Sequence, residues 1–206
     1  MHRPNYAMDA PPTCITVGGI SYPANTDYRV WIDVLEKIRD LYVEIQSPAD
    51  LVHNRDVLCE VQCTVFGGVL EDEAYPDVLR AIMEFARGYP SFTGADSPVT
   101  ADDEDDDPVY SFDYDINEIV LAIRNQSGID ISYRRKEPFH WWEFLLEFRT
   151  LCGEHRISRM MEIRGYKGDD KSTRKAKRQL RLPYKPTADE QRKIDAFNAA
   201  FGEDTK

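Results

Sequence analysis

The 206-residue sequence predicts a mainly α protein with a helical N-terminal unit that carries a short β-hairpin, an acidic flexible linker and a second helical unit. Apolar residues recur with a 3.6-residue period in several segments, and glycine or proline stands where these periods stop, which predicts the helices. The division is predicted by the run ADDEDDD at residues 101–107, because clustered like charges repel one another and hinder compaction.

The first elements along the chain are a loose terminus and a hairpin. Residues 1–12 contain three prolines and little apolar material, and they are predicted to be a flexible N-terminus. Residues 14–22 alternate around Gly18-Gly19 as two short strands joined by a tight turn would. A β-hairpin is therefore expected at the start of the N-terminal unit.

Three helices are predicted to complete this unit. Asn25 or Thr26 is expected to cap the first helix, whose apolar stripe continues through Ile45. A second helix is predicted at 49–66, with the Gly-Gly pair behind it as a stop, and a third at 75–87, ended by a glycine and a proline. Each stripe needs another apolar surface to be stable, because an isolated helix of this length is marginal in water.

Five helices are predicted in the second half of the chain. A helix beginning at Asp113 or Asp115 is closed by Gly128, and Pro138 is expected in the first turn of the next helix. The four remaining predicted helices span residues 139–152, 155–164, 170–182 and 187–201. The last of them is opened by the capping-box sequence Thr187-Ala188-Asp189-Glu190.

These elements predict a domain organisation of five segments. They are a flexible N-terminus at 1–12, a hairpin plus helical domain at 13–88, an acidic linker at 89–109, a second helical domain at 110–168 and basic C-terminal helices at 169–206. The linker reads either as a solvated spacer or as an acidic segment that folds against the basic end.

The charge of the chain is unevenly distributed. The formal net charge is -11, but residues 155–193 hold thirteen Lys or Arg against five Asp or Glu, so this region carries about +8 and the rest about -19. An acidic average argues against general nucleic-acid binding by the whole chain. No apolar run approaches the roughly 18 to 20 residues of a membrane helix, and no secretion signal is visible. A soluble intracellular protein that does not bind membranes is expected.

The sequence offers little that predicts catalysis or metal binding. Four histidines form no recognisable catalytic pattern, and the Gly-Gly pairs lack the spacing and lysine of a phosphate-binding loop. A zinc site could be assembled from Cys59, Cys63, Cys152 and His155, but the spacing is not diagnostic and the cysteines are expected to be buried thiols. We therefore expect no enzyme activity, no cofactor and no metal.

Two groups of residues are candidate partner contacts. In the segment FHWW, Phe139, Trp141 and Trp142 combine large aromatic surfaces; one indole is expected in the core, because consecutive helical residues point about 100 degrees apart. Trp142 is expected to pack with Leu145 and Leu146, and Trp141 either covers an adjoining helix or anchors a partner. The second group comprises the basic residues Lys171, Arg174, Lys175, Lys177 and Arg178, in a basic run that continues through Arg181 and Lys185.

Three readings of this basic group remain open. It is a solvated helix face, or it binds an acidic protein surface such as the ADDEDDD segment of a neighbouring copy, or it binds nucleic acid. The last is the least favoured, because the run lacks interleaved aromatic residues and a recognition motif.

Four segments of the chain resemble a known family. They read GGISYPANTDYRVWI, FDYDINEIVLAIRNQSGIDI, FHWWEFLLEF and MMEIRGYKG, and the sharpest pieces within them are TDYRVW and HWWEF. Together they resemble the bacteriophage gene product fifteen family, small proteins of long-tailed phages that infect Gram-positive hosts. The resemblance covers most of residues 15–168, and the long acidic linker and extended basic end depart from what it leads us to expect.

The resemblance implies a function in tail assembly. Members are typically encoded between the tail-tube and tape-measure genes, which implies a non-catalytic chaperone that binds the tape-measure protein, helps recruit tail-tube subunits, acts in the host cytoplasm and is absent from the mature virion. A homo-oligomer would also suit this function. The alternative is a phage-encoded nucleic-acid-binding or regulatory protein that uses the basic C-terminal region.

Overall fold

The computed structural model describes residues 6–89 and 108–201, and within these residues it contains one two-stranded hairpin and eight helices. The elements in chain order are β1 (Cys14–Val17), β2 (Ile20–Pro23), α1 (Tyr28–Ile38), α2 (Pro48–Phe66), α3 (Tyr75–Ala86), α4 (Phe112–Ser127), α5 (Trp141–Arg149), α6 (Arg156–Arg164), α7 (Lys171–Leu180) and α8 (Ala188–Phe201). The predicted mainly α fold with a short N-terminal hairpin is confirmed. None of the described helices is long and apolar enough to cross a membrane.

The chain forms two compact units, each assembled from segments that are distant in sequence. The described residues of unit 1 are 6–12, 26–28, 83–89 and 108–183, and those of unit 2 are 13–25, 29–82 and 184–201. Apart from residues 89, 108 and 109, the predicted acidic linker lies outside the described residues, as does the start of the predicted flexible N-terminus. The five predicted segment boundaries stay predictions.

The hairpin of unit 2 forms as predicted. Its strands are antiparallel, with Cys14 opposite Pro23 and Val17 opposite Ile20. Gly18 and the glycine after it adopt φ angles of +56° and +90°, which a two-residue turn of this kind requires and other residues rarely adopt.

The prediction that the first helix continues through Ile45 is wrong, because α1 ends at Ile38. Beyond Ile38, the main-chain groups of Tyr42 form hydrogen bonds with the side chain of Asn54 in place of helical ones. Tyr42 N–H donates to Asn54 Oδ1 at 2.8 Å, and Asn54 Nδ2 donates to Tyr42 O at 2.8 Å. The apolar period therefore continues for two turns beyond the residues that are helical. Side-chain amides compete with helical bonding in this way.

Arg192 of α8 holds the same segment of unit 2. Its guanidinium lies 3.9 Å from the ring centroid of Tyr42, donates to Glu44 O at 3.1 Å and pairs with Asp50 Oδ2 at 3.3 Å. The predicted capping box of α8 is confirmed, since Thr187 N–H donates to Glu190 Oε2 at 2.7 Å and Glu190 N–H donates to Thr187 Oγ1 at 3.3 Å.

In unit 1, α5 does not start where the sequence places it. Its first residue is Trp141, and His140 is the N-cap, whose Nδ1 accepts from Trp142 N–H at 3.0 Å while Nε2 donates to Pro12 O at 2.9 Å. Before the cap, Phe139 O accepts from Tyr28 N–H at 2.9 Å, and after it Trp141 N–H donates to Thr26 O at 2.7 Å. Main-chain groups on both sides of His140 are thus bonded to residues 26–28 and not to a preceding helical turn. Burial lowers the pKa of His140, which favours the neutral ring that the two hydrogen bonds of its ring nitrogens need.

A buried ion pair joins several elements of unit 1. Arg164 at the end of α6 forms a two-pronged contact with Asp115 of α4, with Nη1 to Oδ2 at 2.6 Å and Nη2 to Oδ1 at 3.1 Å. Its Nε donates to Leu180 O at 2.8 Å and its Nη1 to Val109 O at 3.1 Å, while Ser111 N–H donates to Asp115 Oδ2 at 2.9 Å. One guanidinium thus bonds to α4, to the end of α7 and to the segment before α4.

We expect Arg164→Met to lower the free energy of unfolding by about 3 to 5 kcal/mol, because it leaves the buried carboxylate of Asp115 without its partner. The matched control is Arg156→Met, which removes a largely exposed ion pair with Glu118 and should cost about 1 kcal/mol or less. Urea unfolding followed by circular dichroism measures both. Equal costs for the two variants would contradict the prediction.

Candidate anion-binding site

Unit 1 contains a pocket of about 580 Å³ between the end of α6 and one face of α7. This volume lies within the range typical of ligand-binding clefts. Its cationic lining residues are Arg164, Lys167, Arg174, Lys177, Arg178 and Arg181. Among the described residues that line it, none is acidic. The site therefore has the charge and concave shape that suit an anionic group.

Helix α7 supplies one wall of the pocket. Lys177 and Arg178 stand three and four residues after Arg174, which places these three on one face of the helix, and Arg181 is the residue that follows the helix. The helix begins at Asp170, whose carboxylate accepts from Thr173 N–H at 2.7 Å. This bond lowers the pKa of Asp170 and keeps its charge at the positive end of the helix dipole.

The opposite wall is the loop after α6, and Tyr166 fixes its shape. Asp170 N–H donates to Tyr166 Oη at 3.2 Å, and Lys177 Nζ donates to Tyr166 O at 3.1 Å. A Cβ atom at Gly168 would lie 2.4 Å from Tyr166 Oη, so the ring occupies space that any other residue at this position would need. Tyr166, at the start of the loop, is thus hydrogen-bonded both to the N-cap of α7 and to Lys177 within the helix.

The positive charges of the pocket differ in how far they are neutralised. Asp115 compensates Arg164 by the buried contact described above. Arg174 pairs with Asp169 at 2.9 Å, but both side chains are exposed, so solvent screens that pair. Lys167, Lys177, Arg178 and Arg181 complete the basic lining of the pocket, and concave walls concentrate the field of such a lining. Carboxylate and phosphate groups are the natural ligands of such a surface.

Of the five basic residues predicted as partner contacts, the structure brings three to the pocket. Arg174, Lys177 and Arg178 line it, whereas Lys171 and Lys175 lie on α7 outside the lining and are exposed. Their role in binding a partner stays a prediction.

The sequence reasoning missed Arg164 and Lys167 as members of this site. These residues belong to the end of α6 and the loop behind it, and only the folded chain places them opposite α7. The segment RGYKG at residues 164–168 could have indicated these two residues, because it combines two cations with glycines at the end of a predicted helix.

Both indoles of the FHWW segment are buried, so the expectation that only one would be is wrong. Trp141 packs against Phe112 and Phe144, whereas Trp142 packs against Phe85 and Tyr89. Each ring has its own aromatic neighbours, which is why two consecutive residues can both be buried.

The two indoles also complete the C-terminal end of α3. Trp142 Nε1 donates to Phe85 O at 2.8 Å, and Trp141 Nε1 donates to Ala86 O at 2.9 Å. Arg149 Nη2 donates to Arg87 O at 3.1 Å. Carbonyls at a helix end have no partner within the helix, so α5 side chains satisfy three consecutive ones here.

This arrangement gives the aromatic residues a structural role. Phe139, Trp141 and Trp142 are between 0% and 6% exposed, so a partner cannot reach them in this conformation. Their role as partner contacts stays a prediction that the burial does not support.

The cysteines are not the buried thiols that the sequence led us to expect. Cys14, Cys63 and Cys152 are exposed and Cys59 is half-buried. Cys14 occupies an outward position of β1, where exposed and buried residues alternate. Within residues 6–89 and 108–201 there is no group of three or more His, Cys, Asp or Glu side chains placed to hold a metal ion.

Comparison with known proteins gives one match. The family model described as Bacteriophage Gp15 protein matches residues 9–185. No curated protein and no solved structure matches the chain.

The glycine that follows α3 allows a steric prediction. Gly88 and Gly128 both have φ of +76°, but a Cβ at Gly88 would lie 2.9 Å from Leu145 Cδ1, whereas a Cβ at Gly128 would meet nothing within 4 Å. We expect Gly128→Ala to cost about 1 to 2 kcal/mol, the cost of the left-handed conformation. Gly88→Ala should cost about 1 to 3 kcal/mol more, because Leu145 must move. Urea unfolding measures the difference, and equal costs would refute it.

A charge-matched pair of variants tests the pocket. Lys177→Gln/Arg178→Gln removes two lining cations, and Lys171→Gln/Lys175→Gln removes two from the same helix outside the lining. We expect the first pair to weaken binding of inorganic tripolyphosphate by about tenfold or more, because it removes charge-assisted hydrogen bonds. The second pair should weaken it by about twofold. Isothermal titration calorimetry measures both, and equal losses would show that the anion does not bind in the pocket.

Proposed function

Because the chain belongs to the bacteriophage Gp15 protein family, whose model covers residues 9–185 of 206, we propose that it is a tail assembly chaperone of long-tailed phages of Gram-positive hosts. In this role it binds the tape-measure protein and helps recruit tail-tube subunits without catalysing a reaction. It acts in the host cytoplasm and is absent from the mature virion.

The observation that carries the proposal is a concentration of exposed apolar side chains in unit 2. Val43, Ile45, Leu51 and Val52 are 89%, 44%, 58% and 48% exposed, and they fall within ten consecutive residues. Ile194 and Phe197 on α8 of the same unit are also exposed. Large apolar side chains left in water at this density are typical of protein-binding surfaces.

Such a surface suits the partner that a chaperone of this kind requires. A tape-measure protein is long and helical, and its apolar helix faces need cover until the tube forms around it. Each large apolar side chain that is buried contributes about 1.5 to 3 kcal/mol, so a few such contacts repeated along a long partner give strong binding. Unit 2 would supply this apolar contact, and the basic pocket of unit 1 would attract acidic groups.

The basic pocket also favours a second function, binding of nucleic acid in a regulatory role. Its cations could contact phosphates, and the affinity would then fall steeply with salt. Tyr166 is the one aromatic residue among the described lining residues, whereas single-strand binders stack several bases on aromatic rings. A gel shift that persists near physiological salt and is lost in Lys177→Gln/Arg178→Gln would support this function over the chaperone role.

Co-expression with the tape-measure protein of the same phage tests the proposal. The wild-type chain should raise the soluble fraction of the tape-measure protein several-fold, because it covers apolar helix faces. Val43→Ser/Leu51→Ser should lose most of this effect. Both positions are exposed, so the variant should fold normally.

The control for this experiment is Leu121→Ser/Tyr133→Ser in unit 1, where the two side chains are 50% and 83% exposed. It removes a similar amount of exposed apolar surface at a different place, and it should leave the solubilising effect intact. If the wild-type chain leaves the tape-measure protein insoluble, the proposal is wrong. If both variants lose the effect equally, the 43–52 segment is not the contact.

A further inference from the structure

The basic pocket begins at the residue that follows the acidic run. Pro108 lines the pocket, and the preceding six residues, 102–107, are all Asp or Glu. Six residues can extend over at most about 20 Å, so every carboxylate of the run is tethered within that distance of the pocket rim. The chain thus carries a concentrated anionic segment covalently attached beside a basic concave surface.

The attachment point of this segment is fixed by the buried ion pair. Arg164 Nη1 donates to Val109 O at 3.1 Å, and Ser111 N–H donates to Asp115 Oδ2 at 2.9 Å. Since Arg164 also lines the pocket, the same guanidinium that forms part of the pocket wall holds the residue after Pro108. Pro108 and Val109, the two residues that follow the acidic run in the sequence, therefore lie beside the pocket.

The charges on the two sides are complementary. Six Lys and Arg line the pocket, of which Arg164 pairs with Asp115 and Arg174 with Asp169, and six carboxylates stand in the tethered run. Short tethers give effective concentrations in the millimolar range, so even weak contacts are populated. Lys and Arg recognise carboxylates through charge-assisted hydrogen bonds.

We propose that the pocket is a polycarboxylate-binding site and that its occupant is the acidic segment Asp102–Asp107 of the same chain. An external polyanion must then compete with this segment, and the affinity for it is reduced by the fraction of pockets already occupied. The proposal stands independently of the chaperone function, because it concerns contacts within one chain.

Carbodiimide coupling, which joins carboxylates directly to lysine amines, tests the contact. In about 50 mM salt, the 102–107 segment should couple to Lys167 and Lys177 several-fold more than to Lys171 and Lys175. Lys177 is less exposed than Lys171 and Lys175, so coupling governed by exposure alone would favour those two over Lys177. The preference should fall in about 500 mM salt, where the screening length is about 4 Å.

Isotope mixing identifies which copy supplies the carboxylates. An equal mixture of unlabelled and ¹⁵N-labelled chains should give cross-links within one isotope only. Isotopically mixed links would show that a second copy occupies the pocket, and coupling without preference among the four lysines would show that the segment does not dock. Either result would overturn the proposal.

Competition with a free anion gives a second, independent test. The segment variant replaces Asp102, Asp103, Glu104, Asp105, Asp106 and Asp107 by Asn or Gln, and it should bind inorganic tripolyphosphate about tenfold more tightly than the wild-type chain. The charge-matched control neutralises six exposed acids elsewhere: Glu44, Glu60, Glu71, Asp72, Glu137 and Glu154. It should gain about threefold or less, because most of these charges are screened from the pocket. Equal gains would overturn the proposal.

Discussion

The two-pronged contact between Arg164 and Asp115 is the constraint on which unit 1 depends. Taking two charges out of water costs several kcal/mol for each ion, and only good geometry with further hydrogen bonds offsets it. Here the guanidinium also donates to main-chain oxygens of Val109 and Leu180, at 3.1 and 2.8 Å. An arrangement that must satisfy all these partners at once tolerates few alternatives, so we regard the ion pair as a device for specifying one conformation.

The ion pair between Arg164 and Asp115 also determines the shape of the pocket. The segment entering α4 and the end of α7 are both held by Arg164, and the loop between α6 and α7 is fixed by Tyr166. The cations on α7 therefore face a wall of defined position. A basic helix without such a wall would have its charges screened by solvent from all sides. The concave form makes a stretch of Lys and Arg a candidate anion-binding site.

The same principle operates at the C-terminal end of α3. Three consecutive carbonyls there are satisfied by side chains of Trp141, Trp142 and Arg149. The aromatic segment FHWW, predicted to contact a partner, is thereby used inside the fold. The exposed apolar side chains that support a binding function lie instead in unit 2, within residues 43–52. The proposed chaperone role would use both properties, since buried aromatic residues stabilise a fold and exposed aliphatic residues are available to contact a partner.

The sequence by itself determined the helical class, the hairpin at Gly18-Gly19 and the capping box at Thr187 and Glu190, because helical period, turn residues and caps are local properties. It also placed four of the six cations that line the pocket in one basic run, namely Arg174, Lys177, Arg178 and Arg181. Only the tertiary structure decided that α1 ends at Ile38, that both indoles are buried and that Arg164 and Lys167 face α7. In each case the residues that make the contact are far apart in the sequence. A local sequence pattern cannot predict such a contact, because it forms only when the chain folds.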